Sequence, residues 1–306
     1  MSQLHVSVSP HIRSTRTTTG IMLDVIIALL PATIAGVIIF GLRALAVVAV
    51  CVATTVLGEG IFNKIVKKEQ TIGDLSAIVT GLLLALNLPA NVPIWQAVVG
   101  SLFAIIVVKC LFGGIGCNVV NPAITGRVFM LIAFGSMTQA AFPVDAVAGA
   151  TPLVDLAAGT SPNLMDLFLG NTGGAIGETC AAALLAGGIY LLVKRVITWH
   201  LPVAFIATVF VFSFLVDGMS VTNALAWILS GGLMIGAFFM ATDYTTSPAT
   251  SMGKIVFGIG AGVLTCMIRF WGNYPEGVSF AILFMNILNP YVESWTNRKP
   301  FGGEKA

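Results

Sequence analysis

Charge is what this sequence has least of. Only 9% of its 306 residues are Asp, Glu, Lys or Arg, against about 25% in an ordinary soluble domain. Fifteen basic and thirteen acidic side chains could not cover the surface of a water-soluble protein of this size. The shortage excludes a soluble enzyme, a disordered chain and a nucleic-acid binder built on basic patches. The net charge of +2 points to no acidic partner. Cysteine spacing is equally unproductive: Cys51, Cys110, Cys117, Cys180 and Cys266 form no C-x-x-C pair and match no common metal spacing. They read as small apolar packing residues. The first twenty residues lack the apolar core of a cleavable signal peptide and read as a cytoplasmic segment, 1–20. No nucleophile–base pair, zinc signature or phosphate-binding glycine loop stands out. His5, His11 and His200 lack ligand spacing, so no metal is expected.

What is present is apolar length. Hydrophobic residues make up 57% of the chain, and 33 glycines suit closely packed bilayer helices. A bilayer-crossing helix needs about 20 mostly apolar residues. Ten candidates occur, near 21–42, 44–62, 75–89, 94–112, 119–135, 176–193, 202–216, 221–240, 255–271 and 277–293. Two of them are irregular. The third ends in Asn87-Leu88-Pro89-Ala90-Asn91, and the eighth carries Ser230-Gly231-Gly232 at its middle. Interrupted spans of this kind point to broken helices lining a site.

Basic residues are retained in the cytoplasm. With the N-terminus inside, twelve of the fifteen Lys and Arg fall on the inner side, Lys109 among them. Arg127 lies about mid-span, and only Arg43 and Arg269 fall outside. Both termini are therefore expected in the cytoplasm, with a tail at 296–306. Residues 136–175 form an outer loop without Lys or Arg but with Asp145, Asp155 and Asp166. It joins a first set of five spans, 21–135, to a second, 176–295.

The halves echo each other. Thr80-Gly81-Leu82-Leu83 has a counterpart in Ser230-Gly231-Gly232-Leu233, and Asn118-x-x-Asn121-Pro122 in Asn286-x-x-Asn289-Pro290. The first Asn pair opens its span and the second comes late in its own. Together the matches suggest a duplication. Five spans is an odd number, so a second copy enters from the opposite face as an inverted repeat, with a site expected between the halves. The Asn amides could satisfy backbone groups freed at helix breaks, with or without a ligand.

Intramembrane ionisable residues are candidates for function. Asp24, Glu59, Lys109, Arg127, Glu178 and Arg269 qualify by position. Most lie near a span end, where reaching into the headgroups is the cheaper explanation. Glu59 and Glu178, each beside a glycine, are the better carboxylates for Na⁺ or a proton. Composition and periodicity end at an all-α polytopic membrane protein, a transporter or a redox subunit.

Specific strings go further. Asp145-Ala146-Val147-Ala148-Gly149-Ala150-Thr151 in the outer loop resembles the Asp-x-x-Ser-Gly-Ala-Thr flavinylation motif, with Ala148 where the motif has Ser. Phe112-Gly113-Gly114-Ile115-Gly116-Cys117-Asn118-Val119-Val120-Asn121-Pro122-Ala123 resembles the RnfD family. So do Gly126-Arg127-Val128-Phe129, Gly177-Glu178-Thr179, Phe239-Met240-Ala241-Thr242-Asp243 and Tyr274-Pro275-Glu276-Gly277-Val278-Ser279-Phe280-Ala281. The likeness runs from about residue 20 to 295.

That resemblance implies ten transmembrane helices in two inverted five-helix repeats, similar to urea transporters. It implies a component of the ion-translocating ferredoxin:NAD⁺ oxidoreductase (Rnf) complex in the cell inner or plasma membrane. It further implies FMN joined through a phosphoester to Thr151 by an extracytoplasmic flavin transferase, with Asp145, Gly149 and Ala150 forming the motif. A second, non-covalent riboflavin-like flavin is expected deeper in the membrane. The expected partners are the other membrane and peripheral Rnf subunits, including a second FMN carrier, and the lipid bilayer, but no nucleic acid. Arg269 is a candidate for stabilising a reduced flavin or its phosphate. The alternatives are the B subunit of a sodium-pumping NADH:quinone reductase, which is similar to RnfD, and a small-solute channel of the same fold.

Overall fold

The computed structural model describes residues 16–135, 141, 151–272 and 277–297. Among the described residues the chain is helical, with no strand and one isolated antiparallel bridge between Ala141 and Gly174. Helix α1 (Thr18–Phe40) starts at Thr17, whose hydroxyl accepts from the Gly20 N–H at 3.1 Å. Gly41 turns the chain directly into α2 (Leu42–Val66). These two helices and α12 (Ser251–Trp271) are each long and apolar enough to cross a bilayer.

Helix α10 (Val221–Leu229) and α11 (Leu233–Ile235) pass the same test together, with α11 continuing as π-helix to Met240, but they are bent by 68°. Five shorter apolar helices accompany them: α3 (Ser76–Leu86), α4 (Ile94–Leu102, continued as π-helix through Cys110), α5 (Pro122–Ala133), α8 (Ala181–Val193) and α9 (His200–Val216). Helix α13 (Val278–Thr296) follows α12.

The outside of the molecule is as apolar as its core. On α1, Leu29 and Phe40 are buried while Ile34 and Ile38 are 57% and 76% exposed. A helix apolar on both faces needs protein on one side and lipid on the other. The chain is a polytopic membrane protein.

Close helix packing uses glycine. A Cβ on Gly187 of α8 would sit 2.0 Å from the Ala28 carbonyl of α1. Gly258 and Gly262 of α12 likewise lie against Ala204 and Thr208 of α9. Small residues of this kind let helix backbones approach in a setting where lipid offers no hydrophobic drive. Gly258 and Gly262 of α12 are thus packing residues.

The stretch 136–175 is not an irregular strap where it is described. It contains α6 (Pro152–Ala157) and α7 (Leu164–Leu169), which lay Leu153, Leu156 and Leu167 against Ala226 and Trp227 of α10. At one end of the helices Arg16 donates to the carbonyls of Lys194 and Arg195, and Lys254 donates to Thr198. Arg269 lies in the last turn of α12, at the other end of that helix from Lys254.

The strings matched between the halves occupy different local structures. Gly81 lies inside α3, where a Cβ would come within 2.4 Å of the Thr55 hydroxyl, whereas Gly231 forms the α10–α11 break at φ 68°. Asn121 precedes α5 as its N-cap, and Asn286, Asn289 and Pro290 lie within α13.

Candidate functional site: a polar seam and cavity between the halves

Four of the six ionisable candidates, Glu59, Lys109, Arg127 and Glu178, do not reach for the headgroups but are paired in the interior. Arg127 of α5 donates from Nη1 to Glu178 Oε1 at 2.9 Å and to Asn87 Oδ1 at 2.7 Å, with both charged side chains about 5% exposed. Glu178 is held in place by backbone. The Ile176 and Gly177 N–H groups donate to the Leu88 and Leu86 carbonyls at and just past the end of α3, at 3.0 and 2.7 Å. A second pair joins Lys109 Nζ to Glu59 Oε2 at 2.9 Å, with Ser76 and Thr71 completing the cluster. Neither ion pair was foreseen, because sequence spacing says nothing about residues 50 or 51 positions apart.

The broken α10–α11 segment passes this seam. A Cβ on Gly232 would lie 2.8 Å from Glu178 Oε1, and one on Gly231 would lie 2.7 Å from Leu153 Cδ1 and 3.4 Å from Arg269 Nη2. Arg269 donates to the Trp227 and Ser230 carbonyls at 2.6 and 3.1 Å, groups that the break leaves without helical partners. Its guanidinium also lies 5.9 Å from the centre of the Trp227 ring.

On the far side of the seam the Asn residues meet. Asn87 contacts Met240 Sδ at 3.6 Å, and the Met240 carbonyl accepts from Asn121 Nδ2 at 3.2 Å. Asn121 Oδ1 caps α5 by accepting from the Ala123 and Ile124 N–H groups at 3.0 and 3.3 Å. Asn286, in the amide orientation that satisfies both neighbours, donates to the Thr246 carbonyl and accepts from the Asn121 N–H. The two Asn motifs therefore bind each other across the halves, and they satisfy freed backbone as their chemistry suggested.

A cavity of about 260 Å³ opens beside them. Its walls come from both halves: α1, α3, the Lys109–Ala123 region, the end of α8 and residues 238–245. The lining is mainly apolar, with Phe238 and Phe239 among it, and the polar groups are few and convergent. Lys109, Ser76, Asn118, Asn121 and Asp243 are the chief ones. Asn118 and Asp243 share Thr245, whose hydroxyl lies 3.1 Å from each. Burial raises the Asp243 carboxyl from its ordinary value, and hydrogen bonds from Thr245, Thr246 and Asn118 oppose the shift. An apolar cleft with a few converging polar groups is the usual form of a small-molecule site. Asp243 and Asn118 stood in strings singled out from the sequence, but no local signal marked them as walls of one chamber.

Of the residues expected to bind flavin, Asp145, Gly149 and Ala150 lie outside the described residues. Thr151 is partly exposed and precedes α6 in extended conformation, and its side chain makes no capping hydrogen bond. Pro152 follows at the first helical position. Leu153, two residues past Thr151, fills the space beside Gly231, and Arg269 also borders that glycine.

Comparison with known proteins matches the sequence to a family. The sequence model of the NQR2, RnfD, RnfE family matches residues 5–302. The D subunit of the Na⁺-translocating ferredoxin:NAD⁺ oxidoreductase complex from Acetobacterium woodii is 48% identical, over 99% of this chain and 96% of that protein. The D subunit of a proton-translocating ferredoxin:NAD⁺ oxidoreductase complex from Clostridium ljungdahlii is 39% identical, over 97% and 96%. The D subunit of an ion-translocating oxidoreductase complex from Stutzerimonas stutzeri is 38% identical, over 92% and 91%.

Proposed function

Because the chain belongs to the NQR2, RnfD, RnfE family, we propose that it is the D subunit of an ion-translocating ferredoxin:NAD⁺ oxidoreductase complex in the cell membrane. In this reading it carries electrons across the membrane, and the complex couples that flow to movement of Na⁺ or H⁺. Its partners are the other subunits of the complex, one of them a second FMN carrier, together with the flavin transferase that loads Thr151.

The packing of the helices supports a finer architecture. The first helices of the two halves touch, α1 on α8, and so do the last, α5 on α13. Within the first half α2 packs on α3 and α4, and within the second α9 packs on α10 and α12. This correspondence supports ten spans in two inverted repeats, 21–135 and 176–295. With the cytoplasm on the side of Arg16, Lys194 and Arg195, both termini are inside and Thr151 is outside.

FMN is carried on Thr151. Thr151 is partly exposed and its side chain takes no part in capping α6, which leaves the hydroxyl open to a transferase. Pro152 biases Thr151 to the extended conformation it adopts. Arg269, anchored by two carbonyls, keeps a fixed positive charge beside Gly231 for a phosphate or a reduced ring. The second, non-covalent flavin occupies the cavity, where Phe238 and Phe239 offer flat apolar surface and the Asn118, Asn121 and Lys109 amides and amine offer donors. Flavin supplies the electron-transfer chemistry, and the protein supplies orientation and electrostatics.

The observation that carries the proposal is the continuity between the two places. Leu153 abuts Gly231, Gly232 abuts Glu178, and Arg127, Asn87, Met240 and Asn121 lead from there to the cavity wall. The test is fluorescence of the denatured chain. Flavin emission that survives SDS should disappear in Thr151→Ala, while a flavin extractable by acid remains bound to the complex. An unmodified Thr151 peptide from cells that express the transferase would overturn the attachment site.

A further inference from the structure

Lys109 serves as a donor in the reading above, which leaves its pairing with Glu59 unexplained. The pair is buried in the first half, with Lys109 and Glu59 at 3% and 1% exposure. Both its geometry and its position are specific. Lys109 Nζ donates to Glu59 Oε2 at 2.9 Å and to Ser76 Oγ at 2.5 Å. Glu59 Oε1 accepts from the Thr71 hydroxyl at 2.6 Å, and Thr71 in turn accepts from Asn63 Nδ2 at 3.0 Å. Lys109 and Ser76 line the cavity, and Glu59 does not. Lys109 thus belongs both to the cavity wall and to the pair with its counter-charge.

The local backbone explains how Lys109 comes to that wall. It is the penultimate residue of the π-helical run Phe103–Cys110, where wider turns rotate later side chains away from the face an α-helix would give them. Its carbonyl accepts from the Gly114 N–H at 3.1 Å, which closes the turn that leads to Asn118.

Burying an ion pair is a weak route to stability, because desolvation offsets most of the attraction. A hydrophobic pair would hold α2 to the π-helical segment equally well. What only the ion pair provides is a cation at the cavity wall whose field is tempered by its counter-charge.

We propose that Lys109 is a positioning residue for redox potential: it stabilises the extra negative charge of a reduced ligand in the cavity, and Glu59 sets how strongly it does so. The ligand class is a planar redox-active aromatic that gains negative charge on reduction. The inference rests on the reading that the cavity holds a non-covalent flavin. No bond forms or breaks in it; the protein only shifts the equilibrium of an electron delivered by the redox flow proposed above.

The test is a spectroscopic redox titration of the non-covalent flavin in the purified complex, with four versions of this chain: unchanged, Lys109→Gln, Glu59→Gln and Glu59→Gln/Lys109→Gln. Removing Glu59 exposes the ligand to the full cation and should raise the midpoint potential. Removing Lys109 leaves a bare carboxylate and should lower it. The double variant should fall between the two. The expected separation between the single variants is at least tenfold in the one-electron equilibrium, about 59 mV. Where Lys109→Gln does not assemble, the comparison of Glu59→Gln with the double variant carries the test, because it removes the cation without leaving an unpaired acid. Equal potentials in variants that retain the flavin overturn the role of Lys109. A complex with no extractable flavin in any version, the unchanged one included, overturns instead the reading of the cavity.

Discussion

Glu178→Ala offers the sharpest test of the seam. It removes the carboxylate that accepts from Arg127 at 2.9 Å, while the guanidinium stays where it is, 4% exposed. Asn87 Oδ1 still accepts at 2.7 Å, but an amide carries no counter-charge. Breaking a buried pair from one side typically costs about 3–5 kcal/mol, because the remaining charge is stranded. At roughly 2–4 °C per kcal/mol for a chain of about this size, the transition should fall by roughly 10 °C. The assay is thermal unfolding of the detergent-purified complex, followed by a probe on this chain.

The control is the double variant Arg127→Met/Glu178→Met, which removes both charges. It should be more stable than Glu178→Ala, because no unpaired ion is left inside. A shift below about 2 °C for Glu178→Ala, or a double variant costing the sum of Arg127→Met and Glu178→Met measured singly, would refute the argument that this pair joins the halves.

Three further outcomes follow from the same geometry. Thr151→Ser should retain SDS-resistant flavin fluorescence where Thr151→Ala loses it, because the attachment needs a hydroxyl and not the methyl group. Gly231→Ala places a side chain at φ 68° with its Cβ 2.7 Å from Leu153. The backbone alone should cost about 1–2 kcal/mol, and displacement of Leu153 should lower flavin loading at Thr151, read by in-gel fluorescence. Asn121→Ala removes the α5 cap, a loss of about 1 kcal/mol, and leaves the Met240 carbonyl without its donor. Asn121→Ser keeps a cap acceptor, buries no new charge and does not restore that donor. It should recover most of the thermal stability while still releasing the cavity flavin more readily during purification.

The helices themselves were legible because the signal is local. Apolar runs, Pro122 after Asn121 and the Ser230-Gly231-Gly232 interruption each act within a few residues, so the breaks and starts near α5 and α10 stand where their chemistry puts them. The flavinylation string is local too, which is why Thr151 could be singled out before any contact was known. The misreading of the charges has an equally physical source. A lone Lys or Glu near a span end is cheapest in the headgroups, and sequence offers no way to see a partner on another helix.

By itself, then, the sequence determined that this chain lives in a membrane. With so few charges no surface of it could face water throughout, and the distribution of those charges is the basis for the side proposed for each loop. Only the tertiary structure decided what the buried charges do. Lys109 meets Glu59, and Arg127 meets Glu178, because packing brings segments distant in sequence within hydrogen-bonding range. In a low-dielectric interior an unpaired ion is too costly to keep. The same packing sets Asn118, Asn121 and Asp243 around one cavity, since a chamber between two halves belongs to neither half's sequence alone.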